Sequence, residues 1–427
     1  MHPYSLLYLY NLRRSQWLGP PELERLQWQK LRRVLHHAYD QVPYYRRLFD
    51  SAGVKPDDIR SQADLPLIPV TTREALQQVP RGDLVAKGVK LARCIERRTS
   101  GTTGRPLRIV LSSKEKEAQD MVQARALLEN GLNLNDRRAV FVAPWQIPQG
   151  KYWFQRLGIW RKLYFSVFDD IRLQMPTLES FQPDSLSGTP AILKLVALEK
   201  ARRESNRIVP RTIFSTADML DKATRDVIES VFRVKVVDLY GSLEFGYMAW
   251  ECRDHLGYHV NMESVVMEFL KDGRGVSAGD VGEVVCTSLL AYAMPLIRYR
   301  LGDLCVPSDQ PCPCGRGLPV MKLIAGRAND SFRLPRGRVL TPQALADAMV
   351  QFAGMIEQFR IIQEREARVS VHLVKGRDFK ADTVPLIEEG LSRILGRDIY
   401  IETQIVATIG QDPSGKQRAV ISNVSGQ

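Results

Sequence analysis

Short apolar, β-rich runs alternate with helical segments from about residue 93 to about residue 320, and this alternation constrains the fold more than any other feature. Runs such as RRAVFVAPW, RTIFSTA, VKVVDLYG and GEVVCTSL have the length and β-branched content of strands, whereas KATRDVIESVF has apolar positions at helical spacing. Strands that alternate with helices pack as a sheet with helices against its faces. The sequence therefore predicts an α/β fold.

The segments on either side of this region predict two further parts of the chain. Residues 1–75 predict an N-terminal helical segment packed on the large domain, because ELERLQWQKLRRVLHHAYDQ is periodic and Pro43 ends it. Residues 76–328 form the predicted α/β core. In residues 329–427, the run NDSFRLPRGRVLTP precedes a helix, strand, strand, helix, strand order, which predicts a small C-terminal α+β domain.

Composition limits the classes of protein to which the chain can belong. The 427 residues are 44% hydrophobic, which is enough to bury a substantial core. The longest apolar stretches fall short of the about 20 residues that a membrane-spanning helix requires, so no transmembrane segment is predicted. The N-terminal run SLLYLY has no basic residue before it and predicts an amphipathic first helix rather than a cleavable signal.

The formal net charge of +12 suits an acidic partner. Acidic residues interleave with the basic clusters, and no base-stacking motif accompanies them, so nucleic-acid binding is not predicted. Polyphosphate substrates account for the excess positive charge equally well.

Four of the six cysteines lie near one another or near histidines, in the runs ECRDHLGYHV and CVPSDQPCPCG. Soft ligands in two short groups are what tetrahedral Zn²⁺ requires, and this spacing differs from a disulfide framework. We predict a structural zinc site in a protein of the reducing cytoplasm. The candidate ligands are Cys252, His255, His259, Cys305, Cys312 and Cys314.

The run RRTSGTTGRPLRIVLS is the sharpest local motif. Its small residues let the backbone close around an anion, its successive N–H groups form a cradle, and its hydroxyls add donors. It differs from the dinucleotide fingerprint and from the Walker loop, because no Lys-Ser/Thr pair closes it. A triphosphate is the ligand that fits residues Ser100, Gly101, Thr102, Thr103 and Gly104.

Further polar residues follow apolar strands, where loops line the usual crevice of an open α/β sheet. In VVDLYGSLEFG, the Tyr240 ring can stack on a base and the Glu244 carboxylate can hold magnesium that bridges phosphates. In RYRLGD, Asp303 can accept both hydroxyls of a ribose. Arg327 and Lys416 lie on later loops.

Five motifs occur in the order TSGTTGRP, YGSLEFG, RYRLGD, GRAND and DPSGK. Together they resemble the ordered core motifs of the adenylate-forming superfamily of acyl-CoA ligases and related adenylation domains. The run HHAYDQVPYYRRLFDSAGVKPDDIRSQADLPLIPVTTREAL is similar to the phenylacetate–coenzyme A ligase branch and its relatives in polysaccharide biosynthesis. The resemblance covers nearly the whole chain. It implies a large N-terminal α/β domain, with β-sheets sandwiched by helices, and a small mobile C-terminal α+β domain.

The resemblance also implies a role for each matching residue. Lys416 reaches the acyl carboxylate and the α-phosphate, and zinc-bearing members match His259 better than His255. The implied catalytic residues are Lys416, Thr102, Glu244 and Arg327, of which Thr102 and Glu244 bind Mg²⁺. The implied nucleotide-binding residues are Ser100, Gly101, Thr102, Thr103 and Gly104 at the phosphates, Tyr240 at adenine, Asp303 at ribose, Arg327 at the domain junction, and also Gly241, Ser242 and Glu244. The implied zinc ligands are Cys252, His259, Cys312 and Cys314.

The chain departs from the family pattern at two places. Arg105 and Pro106 stand where a lysine is common near the end of the phosphate loop. At the hinge, Asn329 and then Asp330 follow Arg327, whereas an aspartate two residues after the arginine is common.

The implied activity is ATP-dependent conversion of a carboxylic acid to acyl-AMP, followed by transfer to a thiol, with coenzyme A as the implied acceptor. Candidates to line the acid pocket are Trp145, residues 214–217 and the GSLEFGY loop, whose apolar and aromatic character favours an aryl or medium-sized hydrophobic acid. One alternative is an adenylating enzyme that transfers its acyl group to a carrier protein, sugar or amine in polysaccharide or natural-product biosynthesis. Another is a non-catalytic nucleotide-binding or zinc-stabilised interaction protein. The sequence leaves a homodimer open.

Overall fold

The computed structural model divides into two compact units. The first consists of Met1–Asn130 and Leu239–Leu323, and the second consists of Gly131–Asp238 and Ile324–Gln427. The predicted domains at residues 1–75, 76–328 and 329–427 stay predictions. Among the described helices, none has both the length and the apolar character of a membrane span. The structure describes residues 3–98, 107–148, 158–327, 332–335, 338–340, 342–352, 354–410 and 418–424.

Helices and strands alternate through most of the described chain. The helices are α1 (Pro3–Ser15), α2 (Pro20–Gln41), α3 (Pro43–Ser51), α4 (Arg73–Gln78), α5 (Arg81–Leu84), α6 (Ser113–Glu129), α7 (Ile171–Phe181), α8 (Pro190–Arg202), α9 (Lys222–Phe232), α10 (Pro342–Val350) and α11 (Thr383–Leu395). The strands are β1 (Cys94–Arg98), β2 (Arg108–Ser112), β3 (Arg138–Val142), β4 (Lys162–Ser166), β5 (Ser185–Gly188), β6 (Thr212–Thr216), β7 (Val236–Ser242), β8 (Gly246–Glu251), β9 (Tyr258–Val260), β10 (Val265–Lys271), β11 (Arg274–Gly275), β12 (Gly282–Ser288), β13 (Tyr299–Ser308), β14 (Val320–Arg327), β15 (Phe332–Arg333), β16 (Val339–Leu340), β17 (Ile356–Arg365), β18 (Arg368–Lys375), β19 (Tyr400–Ile405) and β20 (Val420–Ser422).

Prolines set the bounds of the N-terminal helices in the first unit. The prolines in the first turn of α2 have a fixed φ and need no partner for an N–H group. Pro43 begins α3 directly after α2, which confirms the predicted end of the long helix. Helix α1 is also present. Leu6, Leu7 and Tyr10 on this helix face solvent, so its apolar side chains are not confined to the buried side, as the prediction of an amphipathic helix requires.

The first unit contains a mainly antiparallel sheet. Its strand order is β11-β10-β12-β13-β14-β9-β8-β7, and β12 pairs antiparallel with both β10 and β13. Strands β7 and β14 each begin in one unit and end in the other. Strands β1 and β2 form a separate hairpin, and side chains from this hairpin and from the sheet share one apolar core.

A buried polar network fixes the N-terminal helices within the first unit. Arg125 on α6 is fully buried and donates to Glu263 Oε1 at 2.6 Å and to Asn261 Oδ1 at 2.5 Å. The Ser15 hydroxyl donates to Glu263 Oε1 at 2.6 Å, and the Trp250 indole N–H donates to Asn261 Oδ1 at 2.9 Å. We call these five residues the anchor cluster.

The second unit begins with parallel strands. Strand β3 pairs in parallel with β4 and β5, and β5 pairs in parallel with β6, in the order β7-β6-β5-β3-β4. Helices α7, α8 and α9 follow β4, β5 and β6 and pack with them around one apolar core. Strands β3, β6, β7 and β12 and helix α9 coincide with the runs from which the α/β fold was predicted, and the fold class is confirmed.

The C-terminal part of the second unit is an α+β arrangement with its own core. Strands β17 and β18 form an antiparallel pair, with β19 parallel to β18 and β20 parallel to β17. Helices α10 and α11 contribute apolar side chains to the same core. The predicted order of helix, strand, strand, helix and strand is confirmed, and β20 is an additional strand.

Candidate active site and metal centre

The YGSLEFG motif forms the turn between β7 and β8. Gly246 has a φ of +73°, in the left-handed region that favours glycine. Gly241 lies so close to β8 that a Cβ atom there would stand 2.5 Å from the Gly246 carbonyl oxygen. The Ser242 hydroxyl accepts a backbone N–H from three residues further on, at 3.2 Å. These residues fix the directions in which the Tyr240 and Glu244 side chains leave the turn.

A hydrogen bond joins this motif to RYRLGD. The Tyr240 hydroxyl donates to Asp303 Oδ2 on β13 at 2.6 Å. Burial and the nearby Asp303 carboxylate raise the pKa of Tyr240 well above its usual value, so the hydroxyl stays protonated. The predicted base-stacking residue and the predicted ribose-binding residue are therefore in direct contact.

A second hydrogen bond joins the same two motifs. The Tyr299 hydroxyl, at the start of β13, donates to Glu244 Oε1 at 3.3 Å. Glu244 is only 5% exposed, and the Arg73 guanidinium lies 3.2 Å from the same oxygen. Burial and the Glu244 carboxylate raise the pKa of Tyr299. We call Tyr240, Glu244, Tyr299 and Asp303 the carboxylate cluster.

The carboxylate cluster creates a negative field in its surroundings. Burial raises the pKa of the Cys286 thiol, and the Asp303 charge adds to this effect. The pKa of the Glu283 carboxyl is also raised, mainly by burial, because the opposing effect of Arg300 is too small to reverse it. A buried region of this sign favours hydroxyl donors and cations.

The strand before the predicted phosphate loop contacts the YGSLEFG turn through Arg97. Strands β1 and β2 pair antiparallel from Cys94 and Ser112 to Arg98 and Arg108. The Arg97 guanidinium donates to Gln119 Oε1 at 3.0 Å and to the carbonyl of Leu243 at 3.4 Å. Because Leu243 precedes Glu244, the end of β1 lies beside the YGSLEFG turn.

Several predicted site residues fall outside this description. The described residues exclude Ser100, Gly101, Thr102, Thr103, Gly104, Arg105, Pro106, Asn329, Asp330 and Lys416, together with the side chains of Trp145 and Arg327.

Sequence reasoning missed Arg73, Arg97 and Tyr299. Tyr299 stands inside the RYRLGD motif, so its position four residues before Asp303 was a usable signal. Arg73 and Arg97 occur in ordinary helix and strand contexts, and only the folded structure brings them to Glu244 and Leu243.

In the predicted acid pocket, residues 214–217 lie at the end of β6 in the second unit. Phe214 is fully buried, and the Arg138 guanidinium lies 5.9 Å from the centre of its ring. Ala217 has a φ of +72°, which is unusual for a residue with a Cβ atom. Backbone strain of this kind is concentrated at functional sites.

Two separate runs of the chain form a Cys/His cluster in the first unit. One potential donor atom from each of four residues lies within 4.8 Å of all the others. The Cys252 and Cys312 sulfurs are 3.6 Å apart, and the Cys314 sulfur is 3.3 Å from His259 Nε2. We call this group, Cys252, His259, Cys312 and Cys314, the metal cluster.

The state of His259 suits a metal ligand. Its Nδ1–H donates to the Leu318 carbonyl at 3.3 Å, which leaves the unprotonated Nε2 directed at Cys314. Burial lowers the pKa of His259 to about 4, so the ring is neutral. Burial opposes ionisation of the Cys314 thiol, but hydrogen bonds from the backbone and side chain of Arg316 outweigh it and lower the pKa of that thiol.

The two alternative ligands lie apart from this cluster. His255 Nδ1 is 3.4 Å from Glu251 Oε2. Cys305 is fully buried in the apolar core of the first unit. Among the described residues, the donor set that could hold a metal is therefore the metal cluster.

Arg316 connects the metal cluster to the N-terminal helices. Its guanidinium lies 4.6 Å from the Trp17 ring centre and 5.1 Å from that of Trp250. It also donates to Gln16 Oε1 at 3.1 Å and to Glu129 Oε2 at 2.9 Å. A metal bound between the two cysteine-containing runs would fix the loop that carries this arginine.

Comparison with known proteins gives matches over most of the chain. Phenylacetate–coenzyme A ligase of Escherichia coli is 29% identical over 367 residues, which is 83% of this chain and 82% of that protein. Phenylacetate–coenzyme A ligase of Aromatoleum evansii is 27% identical over 401 residues, covering 88% and 87% of the two chains. A family model for the CapK C-terminal domain matches residues 333–423.

A solved structure has the same fold. The crystal structure of 2-hydroxyisobutyryl-CoA ligase in the postadenylation state, in complex with 2-HIB-AMP, superimposes with a TM-score of 0.80 at 20% identity. The match covers 96% of this chain and 91% of that one. The chain therefore has the fold of an acyl-CoA ligase crystallised with an acyl-AMP. In sequence it is similar to the phenylacetate–coenzyme A ligases over most of its length, which confirms the predicted resemblance.

Proposed function

We propose that the protein activates a carboxylic acid with ATP to form an acyl-AMP and then transfers the acyl group to the thiol of coenzyme A. The observation that carries this proposal is the pair of hydrogen bonds that joins YGSLEFG to RYRLGD, from Tyr240 to Asp303 and from Tyr299 to Glu244. Two motifs more than fifty residues apart thereby place an aromatic ring and two carboxylates in one region.

The donor set fits the proposed nucleotide. Asp303 would accept the ribose hydroxyls, and Tyr240 would flank adenine. Ser100 to Gly104 would grip the β- and γ-phosphates, and Arg327 would contact the nucleotide where the C-terminal part begins. Glu244, a buried carboxylate, would hold Mg²⁺ together with Thr102. When bound, the magnesium ion supplies positive charge to the bridging phosphate oxygens.

The reaction requires two anions to approach each other. In the first step a carboxylate oxygen bonds to the α-phosphorus, and the bond to the bridging oxygen breaks to release pyrophosphate. In the second step the thiolate sulfur bonds to the acyl carbon, and the acyl carbon–oxygen bond breaks to release AMP. Lys416 would neutralise the charge that builds up on the α-phosphate and hold the acyl carboxylate in line with it.

The acid is proposed to be aryl and phenylacetate-like. Support comes from the named activity of the relatives and from Phe214 and the strained Ala217 at the end of β6. A second candidate function is transfer of the acyl group to a carrier protein, sugar or amine in polysaccharide or natural-product assembly. The CapK C-terminal match favours this alternative.

The proposal is tested by acid-dependent exchange of pyrophosphate into ATP, measured against an acid panel. Lys416→Ala is expected to lower exchange by about 10²–10³-fold while preserving thiol transfer from preformed acyl-AMP. Lys380→Ala, a change at an exposed lysine of the same C-terminal part, serves as the matched control. Equal loss of both half-reactions in Lys416→Ala would remove the assigned role. AMP release that depends on coenzyme A separates the first candidate function from the second.

We also propose that the metal cluster holds a structural Zn²⁺ in a protein of the reducing cytoplasm. The three thiols and one neutral imidazole form a standard tetrahedral donor set. Metal analysis should give about one zinc per chain. Cys314→Ser should lose most of that zinc, whereas Cys305→Ser should keep it. Well under one zinc per chain in carefully purified wild-type protein would remove the proposal.

A further inference from the structure

The exposed face of α1 is apolar, although the helix is firmly attached to the first unit. Ser5, Leu12 and Ser15 are buried on its inner face, and the Arg13 guanidinium donates to Glu129 at 2.8 Å. Ser5 donates to Glu117, and Ser15 donates to Glu263. The outward face is therefore a fixed surface of the folded unit.

Large apolar and aromatic side chains lie on this outward face. Tyr4, Leu6, Leu7, Tyr10 and Trp17 are each between 51% and 64% exposed. Residues three, four or seven positions apart in a helix share one side, so Leu7, Tyr10 and Arg14 align, and Trp17 directly follows the helix. Exposed apolar surface of this extent marks an interaction site rather than ordinary solvent-facing surface.

The charge on the helix identifies the kind of partner. Helix α1, PYSLLYLYNLRRS, contains no acidic residue and carries Arg13 and Arg14 in its last turn. The Arg14 guanidinium lies 5.7 Å from the centre of the Tyr10 ring. The whole chain carries a formal net charge of +12. The partner that complements such a face is both apolar and anionic.

We propose that α1 lies on the surface of a bilayer containing anionic lipid and holds the protein there as a peripheral membrane protein. Leucine and aromatic side chains insert at the level of the headgroups, and arginine stems reach phosphate groups from the same helix. A second copy of the chain is a poorer occupant, because α1 contains no acidic residue that could complement Arg14 on the facing helix. The proposal is independent of the ligase activity.

Vesicle flotation tests the proposal with the full-length protein. Binding is expected to vesicles of phosphatidylcholine mixed with phosphatidylglycerol, to be weaker with phosphatidylcholine alone, and to decrease as salt is raised. Leu7→Glu combined with Tyr10→Glu should lower binding by at least about tenfold. Leu173→Glu is the matched control, because Leu173 is 79% exposed on α7 in the second unit and should have no effect.

Further measurements distinguish membrane binding from other roles of this face. Arg14→Gln, which leaves the apolar face intact, should weaken binding to anionic vesicles by about fivefold. A blue shift of tryptophan emission on vesicle binding should disappear in Trp17→Phe. Absence of binding at low salt would overturn the proposal, as would equal loss in Leu173→Glu. A dimer that dissociates in Leu7→Glu without any vesicle binding would assign the face to a second copy instead. Circular dichroism and pyrophosphate exchange should be unchanged in every variant.

Discussion

The anchor cluster is buried in the first unit and the carboxylate cluster is buried except for the half-buried Asp303, but the carboxylates of the two clusters have different partners. In the anchor cluster, burial alone would raise the pKa of Glu263, yet the Arg125 charge outweighs it and the pKa is lowered. In the carboxylate cluster, Asp303 accepts from the neutral hydroxyl of Tyr240. The effect of Asp303 extends outward and helps to raise the pKa of Cys286.

The partners of these carboxylates distinguish a structural role from a proposed binding role. Glu263 is matched by the guanidinium of the fully buried Arg125 and serves as a structural joint. Asp303 and Glu244 each accept a hydrogen bond from a tyrosine hydroxyl, although Arg73 also lies 3.2 Å from Glu244, and the Asp303 charge acts on the neighbouring thiol of Cys286. The same chemical group therefore has a structural role in one cluster and a proposed binding role in the other.

The largest predicted effect is on the anchor cluster. Arg125→Met should lower the free energy of unfolding by about 3–5 kcal/mol, because it leaves Glu263 buried without its cation. Urea unfolding measures this change. The double variant Arg125→Met with Glu263→Leu should recover most of the loss. If Arg125→Met is as stable as the wild type but inactive, the anchor cluster has no structural role that distinguishes it from the carboxylate cluster.

Asp303→Asn should have the opposite effect, with a large loss of activity and a small change in stability. Loss of two charge-assisted hydrogen bonds to ribose should lower acid-dependent pyrophosphate exchange by about 10²-fold, or about 2.7 kcal/mol. The free energy of unfolding should change by about 1 kcal/mol or less. If this variant unfolds as readily as Arg125→Met and keeps its exchange activity, Asp303 is a structural residue.

Arg316→Lys tests whether Arg316, which lies beside the metal cluster, contributes mainly to stability or to metal binding. The lysine keeps the charge but loses the planar group that lies over Trp17 and Trp250. The expected cost is about 2 kcal/mol of unfolding free energy, measured in urea, together with a change in tryptophan emission. Zinc content should stay unchanged, since the four ligands remain and the lysine keeps a positive charge near Cys314. Loss of zinc in this variant would mean that the side-chain hydrogen bond from Arg316 to Cys314 is required to hold the metal.

The smallest predicted effect concerns the pH dependence of Glu129. Burial opposes its ionisation, but hydrogen bonds from Arg13 and Arg316 outweigh burial and hold the pKa of Glu129 below 4.5. A carboxyl with a lowered folded-state pKa stabilises the protein above pH 4.5, and that stabilisation is lost as the pH falls through the folded-state pKa.

Glu129→Gln should therefore cost about 1 kcal/mol near neutral pH. The difference from wild type should shrink below pH 4.5, as measured by unfolding across an acid series. A difference that stays constant with pH would show that the amide loses packing rather than charge.

Much of the fold was predictable because local pattern and tertiary burial agree. Strands β6 and β12 and helix α9 coincide with runs whose apolar residues already had the pattern of a strand or of a helix. The turn of YGSLEFG was readable from its two glycines, since both the left-handed φ of Gly246 and the close approach at Gly241 require glycine. The resemblance then implied that Tyr240 and Asp303 bind parts of the same nucleotide.

The remaining features depend on contacts between distant residues. Arg73 reaches Glu244 across 171 positions, and Arg97 reaches Leu243 across 146 positions. No local periodicity encodes such pairings. The choice of His259 over His255 likewise came from the resemblance, and in the structure His259 is the histidine whose ring nitrogen lies within 4.8 Å of the three cysteine sulfurs. Strand β20 was missed because its three residues are too short for a periodic signal.

The contacts of Arg316 with the N-terminal residues also have a consequence for folding during synthesis. Gln16 and Arg316 are 300 positions apart, and Gly317 lies so close to the backbone of Leu18 that a Cβ atom there would stand 1.9 Å from its carbonyl oxygen. The contacts that hold the first helix are therefore complete only after about three quarters of the polypeptide has left the ribosome. Until then the inner side of that helix, including the buried Leu12, lacks part of the surface against which it packs, and chaperones that shield emerging chains can bind it.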